Sequence, residues 1–203
     1  MLYSTTENGR CELHTPTAMP NASAFLWNAN MMIHMSCRGY AVAQFMQPEP
    51  AKYSRGPNME AKSFMQPEQP YYAHHPGRFV YVKDEESGTI FSIPHEPTRQ
   101  PVEQFTFSVG EADIAWRVRQ NDVEFQWKLT LPAQDSVELW ILTVKNVGDR
   151  SKQLSLYPVF SIGYMSWMNQ SADYDATLGG IVASCVTPYQ KLHDYPTIYT
   201  LRD

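Results

Sequence analysis

Apolar and polar residues alternate almost without interruption from Ile114 to Leu131. Ile114, Trp116 and Val118 alternate with Arg117 and Arg119. After an Asn121-Asp122 turn, Val123, Phe125, Trp127, Leu129 and Leu131 point one way, and Glu124, Gln126, Lys128 and Thr130 the other. A period of two places each set on one face of a strand, which predicts two half-buried antiparallel strands. Phe105, Phe107 and Val109 carry the same alternation. Arg78–Lys83 and Thr89–Ile93 flank Asp84-Glu85-Glu86-Ser87-Gly88, which predicts a hairpin with a Gly-ended turn and a solvated acidic tip. Val137–Val147 is apolar on both faces and reads as a central strand. Val147-Gly148-Asp149-Arg150 reads as a turn, and Leu154–Tyr164 and Gly180–Val186 as further strands. No long helix is expected. Strands repeated at this spacing predict an all-β fold, an antiparallel β-sandwich.

The front of the chain is different. Residues 1–23 read as an irregular lead-in, followed by short strands near Met31–Ser36 and Tyr40–Met46. Gln47–Gly77 contains Pro48, Pro50, Pro57, Pro67, Pro70 and Pro76, and Phe45-Met46-Gln47-Pro48-Glu49 recurs as Phe64-Met65-Gln66-Pro67-Glu68. Proline fixes φ and lacks an N–H donor, so this segment suits neither helix nor central strand. It reads as a surface arm, and an arm of this length usually has a task. The expected organisation is an N-terminal extension with its arm over residues 1–77, packed on a sandwich over 78–203. Tyr199-Thr200-Leu201-Arg202-Asp203 resembles the start of another element, so the sandwich is expected to be cut short at its C-terminal end.

Composition narrows the function classes. Of 203 residues, 43% are hydrophobic and 13% aromatic, enough for a packed core. Only 18% are charged and the net charge is −5, which argues against a nucleic-acid partner. Met1-Leu2-Tyr3-Ser4-Thr5 lacks a basic and apolar leader, and no stretch suits a membrane helix. Cys11, Cys37 and Cys185 have no metal-knuckle spacing. Reduced thiols, no metal, no membrane and a cytoplasmic location are the expectation.

Each residue with possible chemistry has a bland counterpart. His74 and His75 could orient substrate or phosphate, yet adjacent histidines suit one tetrahedral site poorly. Glu49 and Glu68 could act as paired carboxylates, but their flanking prolines point to rigid turns. Trp116, Trp127 and Trp140 could stack on sugars. Core packing is favoured, because Trp116 and Trp127 lie on the apolar sides of alternating strands. Trp167 lies after a strand, among polar residues, and is the better candidate for such a contact. Arg38, Lys52 and Arg78 could meet phosphate or a carboxylate, against surface pairing with the excess acids.

Two passages carry a resemblance. Gly77-Arg78-Phe79-Val80-Tyr81-Val82-Lys83-Asp84-Glu85-Glu86-Ser87-Gly88, followed by Phe91-Ser92, is similar to the opening hairpin of the cellobiose phosphorylase family, glycoside hydrolase family 94, formerly grouped with glycosyltransferases. Val137-Glu138-Leu139-Trp140, leading through Leu142-Thr143-Val144-Lys145-Asn146 to Val147-Gly148-Asp149-Arg150, resembles a later passage of the same family. The likeness runs from about Gly39 to Tyr164. Cys37-Arg38-Gly39-Tyr40-Ala41, the duplicated Phe-Met-Gln-Pro-Glu and His74-His75-Pro76-Gly77 look more like the subgroup acting on acidic disaccharides, the cellobionic acid phosphorylases.

The resemblance implies a galactose-mutarotase-like supersandwich supporting an (α/α)6 barrel that lies beyond residue 203. It implies a cytoplasmic homodimer that cleaves a β-glucosidic bond with inorganic phosphate, inverting to α-glucose 1-phosphate. Phosphate is then a co-substrate, the disaccharide or aldonic-acid disaccharide the substrate, and no cofactor or metal is needed. The general acid is an Asp of the barrel, so no catalytic residue falls in these 203. Tyr164–Gln170 lies where family sandwiches approach the donor sugar, which makes Trp167, Asn169 and Gln170 substrate-contact candidates beside His74, His75 and Arg38. The alternative is a stand-alone carbohydrate-binding or dimerisation sandwich without catalysis.

Overall fold

The structure is a computed structural model that describes residues 1–45, 77–160, 170–185 and 197–200. The described residues form strands and no helix, as the alternation predicts. In chain order the strands are β1 (Tyr3–Thr5), β2 (Cys11–Leu13), β3 (Ser23–Trp27), β4 (Met31–Ser36), β5 (Ala41–Phe45), β6 (Arg78–Asp84), β7 (Ile90–Ile93), β8 (Gln104–Val109), β9 (Asp113–Gln120), β10 (Val123–Thr130), β11 (Leu139–Asn146), β12 (Leu154–Phe160), β13 (Gln170–Asp175), β14 (Gly180–Cys185) and β15 (Thr197–Thr200). All pairings between them are antiparallel.

The chain divides into two compact units, Met1–Ser161 and Ile162–Asp203. The first holds a six-stranded sheet in the order β1-β2-β8-β9-β10-β11 and two three-stranded sheets, β3-β4-β5 and β12-β6-β7. Inner residues of all three sheets share one core. The six-stranded sheet contributes Phe105, Phe107, Ile114, Trp116, Val118, Phe125, Trp127 and Leu129. Leu26, Ile33 and Met35 come from β3 and β4, and Val80, Val82, Phe91 and Ile93 from β6 and β7. This is the sandwich that the sequence predicts. The second unit is the three-stranded meander β13-β14-β15.

Register in the large sheet is set by side-chain bulk. Phe107 lies opposite Trp116, Trp116 opposite Trp127, and Trp127 opposite Leu142, which makes one apolar row across four strands. A one-residue slip would turn this whole row to solvent. Ring centroids are 5.3 Å apart for Phe107–Trp116, 5.9 Å for Trp116–Trp127 and 4.6 Å for Trp127–Trp140. The three indoles therefore pack rather than wait for sugar. Asn121 and Asp122, at φ 52° and 59°, turn β9 into β10 in the left-handed conformation that asparagine and aspartate tolerate.

Three expectations change. The lead-in is not irregular, because it supplies β1 and β2 at the edge of the large sheet; strands of three residues are too short to show a period. The acidic run is not simply a solvated tip. Asp84 is buried, accepts the Glu86 and Ser87 N–H groups at 3.0 and 3.1 Å, and meets Lys152 at 3.4 Å. Glu85 is held by Lys83 and by the Ser155 hydroxyl, each at 2.6 Å, which leaves Glu86 as the solvated member. The expected central strand, β11, ends the sheet among the described residues. Trp140 and Leu142 pack on the core while Leu139 and Ile141 are 45% and 55% exposed. An apolar run records that both faces are apolar, not that described neighbours cover both. The arm falls in 46–76 and lies outside the described residues.

Phe125→Ala is expected to cost about 4 kcal/mol in a urea titration, from lost burial plus a cavity. Ile141→Thr, on the exposed face of β11, is expected to change stability by less than about 0.5 kcal/mol in the same experiment.

Candidate functional site

A tight turn carries Arg38 between β4 and β5. Ser36 Oγ accepts the backbone N–H groups of Arg38 and Tyr40, at 3.3 and 3.0 Å, and the Gly39 N–H donates to the Ser36 carbonyl at 3.1 Å. Gly39 sits at φ +104°, where a side chain would be strained, and an added Cβ would come within 2.8 Å of the Phe79 ring. The turn is tied to the core from behind, because the buried Trp116 indole N–H donates to the Cys37 carbonyl at 2.8 Å. Burial also pushes the Cys37 thiol up to about 11, against the opposing pull of Arg38, so it is protonated at neutral pH.

Arg38 points to the loop after β7. That loop holds cis peptide bonds at Ile93-Pro94 and Glu96-Pro97. Ser92 organises it: its hydroxyl donates to the His95 carbonyl at 3.1 Å, accepts the Thr98 N–H at 3.1 Å, and lies 2.9 Å from the Thr98 hydroxyl. The Arg99 N–H closes on the His95 carbonyl at 2.9 Å. Glu96, only 1% exposed, is thereby held between two guanidiniums. It pairs with Arg38 on one side, and on the other accepts from Arg99 Nε at 2.9 and 3.1 Å. The Tyr40 hydroxyl joins the same network through Arg99 and Glu96, and burial, reinforced by the Glu96 charge, raises its pKa.

Beside this cluster lies a cleft of about 930 Å³. His14, Arg38, His95, Arg99, Glu103 and Arg117 supply its ionisable lining. Glu103 is engaged elsewhere, by Arg119 at 3.3 Å and by the Asn121 N–H at 2.9 Å. His95 is 5% exposed, and its Nδ1 has no hydrogen-bond partner among the described residues. Burial, with the Arg38 charge next, lowers the His95 pKa below its ordinary 6.5, while Glu96 pulls the other way.

Of the residues singled out from sequence, Arg38 is thus paired with a buried acid rather than with surface charge. Gln170 opens β13, its backbone opposite Cys185. His74, His75, Trp167 and Asn169 lie outside the described residues. Arg78 is buried and grips Glu138 in a fork, Nε to Oε2 at 2.9 Å and Nη2 to Oε1 at 2.8 Å, while the Trp140 indole donates to the same carboxylate at 2.9 Å. That makes it a structural pair. His95, Glu96 and Arg99 were not singled out. The available signal was His95 and Glu96 set between Pro94 and Pro97 directly after a strand.

Comparison with known proteins fits this architecture. Residues 52–188 match the family described as the glycosyl hydrolase 94 supersandwich domain. The chain belongs to that family. A cellobionic acid phosphorylase of Neurospora crassa is 57% identical over 195 residues, which is 96% of this chain and 25% of that protein. A 3-O-beta-D-glucopyranosyl-beta-D-glucuronide phosphorylase of Paenibacillus borealis is 26% identical over 114 residues, 55% of this chain and 14% of its own length. An N,N'-diacetylchitobiose phosphorylase of Vibrio proteolyticus is 24% identical over 100 residues, 47% and 12%. The chain therefore spans about a quarter of the Neurospora relative and less of the others.

Glu96→Gln is expected to cost about 3 kcal/mol in urea denaturation, because it leaves two guanidiniums facing each other around a buried amide. The His95 shift adds a pH dependence. An unfolded imidazole takes up a proton as pH falls through its ordinary value, while the folded one resists, so the chain loses stability on acidification from neutral pH and the loss levels off below the folded pKa. His95→Asn is expected to flatten that stretch of the stability–pH curve.

Proposed function

We propose that this chain is the supersandwich part of an inverting disaccharide phosphorylase acting on acidic disaccharides of the cellobionic acid type. The observation that carries the reading is 57% identity over 96% of the chain to a cellobionic acid phosphorylase. In this mechanism a phosphate oxygen attacks the anomeric carbon from the face opposite the leaving group. The glycosidic C–O bond breaks as an Asp of the barrel, outside this chain, gives its proton to the departing oxygen. The products are α-glucose 1-phosphate and the free sugar acid. The sandwich does no bond-making itself; it supports the barrel. Exposed apolar residues at the ends of two sheets, Leu139 and Ile141 of β11 and Leu156 and Tyr157 of β12, fit burial against further polypeptide. A cytoplasmic homodimer, with Trp167, Asn169 and Gln170 at the sugar, belongs to the same reading.

The test is glucose 1-phosphate release by the complete product of the gene that encodes this chain, offered cellobionic acid or cellobiose with phosphate. Release from cellobionic acid at least about tenfold more efficient than from cellobiose is expected, a difference of roughly 1.4 kcal/mol in transition-state binding. Release from neither sugar overturns the reading, and a preference for cellobiose overturns its acidic part.

A further inference from the structure

The cleft beside Glu96 is cationic in a chain whose net charge is −5. Arg38 and Arg99 share a single carboxylate, so among the described residues one positive charge of the pair has no counter-charge in the cluster. Arg117, 60% exposed on the same lining, is only loosely matched, with Glu124 at 4.0 Å. The single acid of the described lining, Glu103, is occupied by Arg119. The positive potential is thus local to this concavity and does not come from the chain as a whole.

A second observation is independent of charge. His95 is more than nine-tenths buried, lines the cleft, and leaves Nδ1 without a hydrogen-bond partner among the described residues. The buried Nε of Arg38 is also without a hydrogen-bond partner among the described residues. Buried polar atoms in this state are costly, and native structures carry few of them. Guanidinium forks are shaped for oxyanions, and the cleft volume lies within the range of small-molecule sites. A purely structural role for Arg38 and Arg99 explains the Glu96 pairs. It explains neither Arg117 nor the unpartnered atoms.

We propose that this cleft is a binding site for a small oxyanion, a carboxylate or a phosphate, with Arg38, Arg99, Arg117 and His95 as its recognition groups. The site is built from β4–β5, the loop after β7, and β8–β9, all within the first compact unit. It does not depend on the phosphorolysis reading. Binding would supply the missing counter-charge and raise the proton affinity of His95.

The test follows the His95 ring resonance of the full chain by NMR, assigned by its loss in His95→Gln. Sodium phosphate and, separately, sodium gluconate are titrated at constant pH and ionic strength. A saturable shift with a midpoint of about 1 mM is expected for one of them. Saturation by phosphate alone supports the site and assigns it to the inorganic ion. Saturation by gluconate assigns it to a sugar-acid carboxylate. Arg99→Gln and Arg117→Gln, both at largely exposed positions, are expected to weaken binding at least about threefold, while Arg150→Gln, a charge-matched change away from the cleft, leaves it unchanged. No saturable shift with either anion up to about 50 mM, or equal weakening by Arg150→Gln, overturns the proposal.

Discussion

One buried hydrogen bond ties the large sheet to the turn between β4 and β5. Trp116 stands at the centre of the aromatic row that sets the register of the large sheet, and its indole N–H donates to the Cys37 carbonyl in the turn that carries Arg38. An indole that deep needs a partner, since an unsatisfied N–H costs the full desolvation of the group. The packing that fixes the sandwich therefore also fixes the turn. Arg38 is aimed by the core and not by its own flexible stem.

Around that anchor the charged groups are arranged by exclusion of water. Glu96 is buried so completely that it must be paired, and two guanidiniums reach it from different parts of the chain. Arg78 and Glu138 repeat the logic elsewhere: a buried fork, with the Trp140 indole on the same carboxylate. The two clusters differ in balance. Arg78 meets one acid, Glu138, among the described residues. Arg38 and Arg99 share one acid, and the surplus charge faces a cleft. This asymmetry makes the Glu96 region more than a structural rivet.

Membership of the glycosyl hydrolase 94 supersandwich family gives the exposed apolar positions of β11 and β12 a physical context. The chain spans about a quarter of the Neurospora relative's length, and under the proposed reading these positions would lie against further polypeptide. Leu139 and Ile141 on one strand and Leu156 and Tyr157 on another are not failures of patterning. They are apolar residues left exposed among the described residues.

The sequence by itself determined what depends on near neighbours in the chain. The alternation through β9 and β10, the Asn121-Asp122 turn and the Gly-ended hairpin of β6 and β7 were all legible, because a strand's two faces and a turn's φ values are local properties. The core role of Trp116 and Trp127 followed from the same alternation. The shortest strands, β1 and β2, were not legible, since three residues hold no measurable period. Only the tertiary structure decided that β11 ends its sheet, that Asp84 is buried, and that Arg38 belongs with Glu96, more than fifty positions away. The physical reason is range. Periodicity and turn preference act over a few residues, whereas neutralising a buried charge depends on which distant segments folding brings together, and no local pattern encodes that choice.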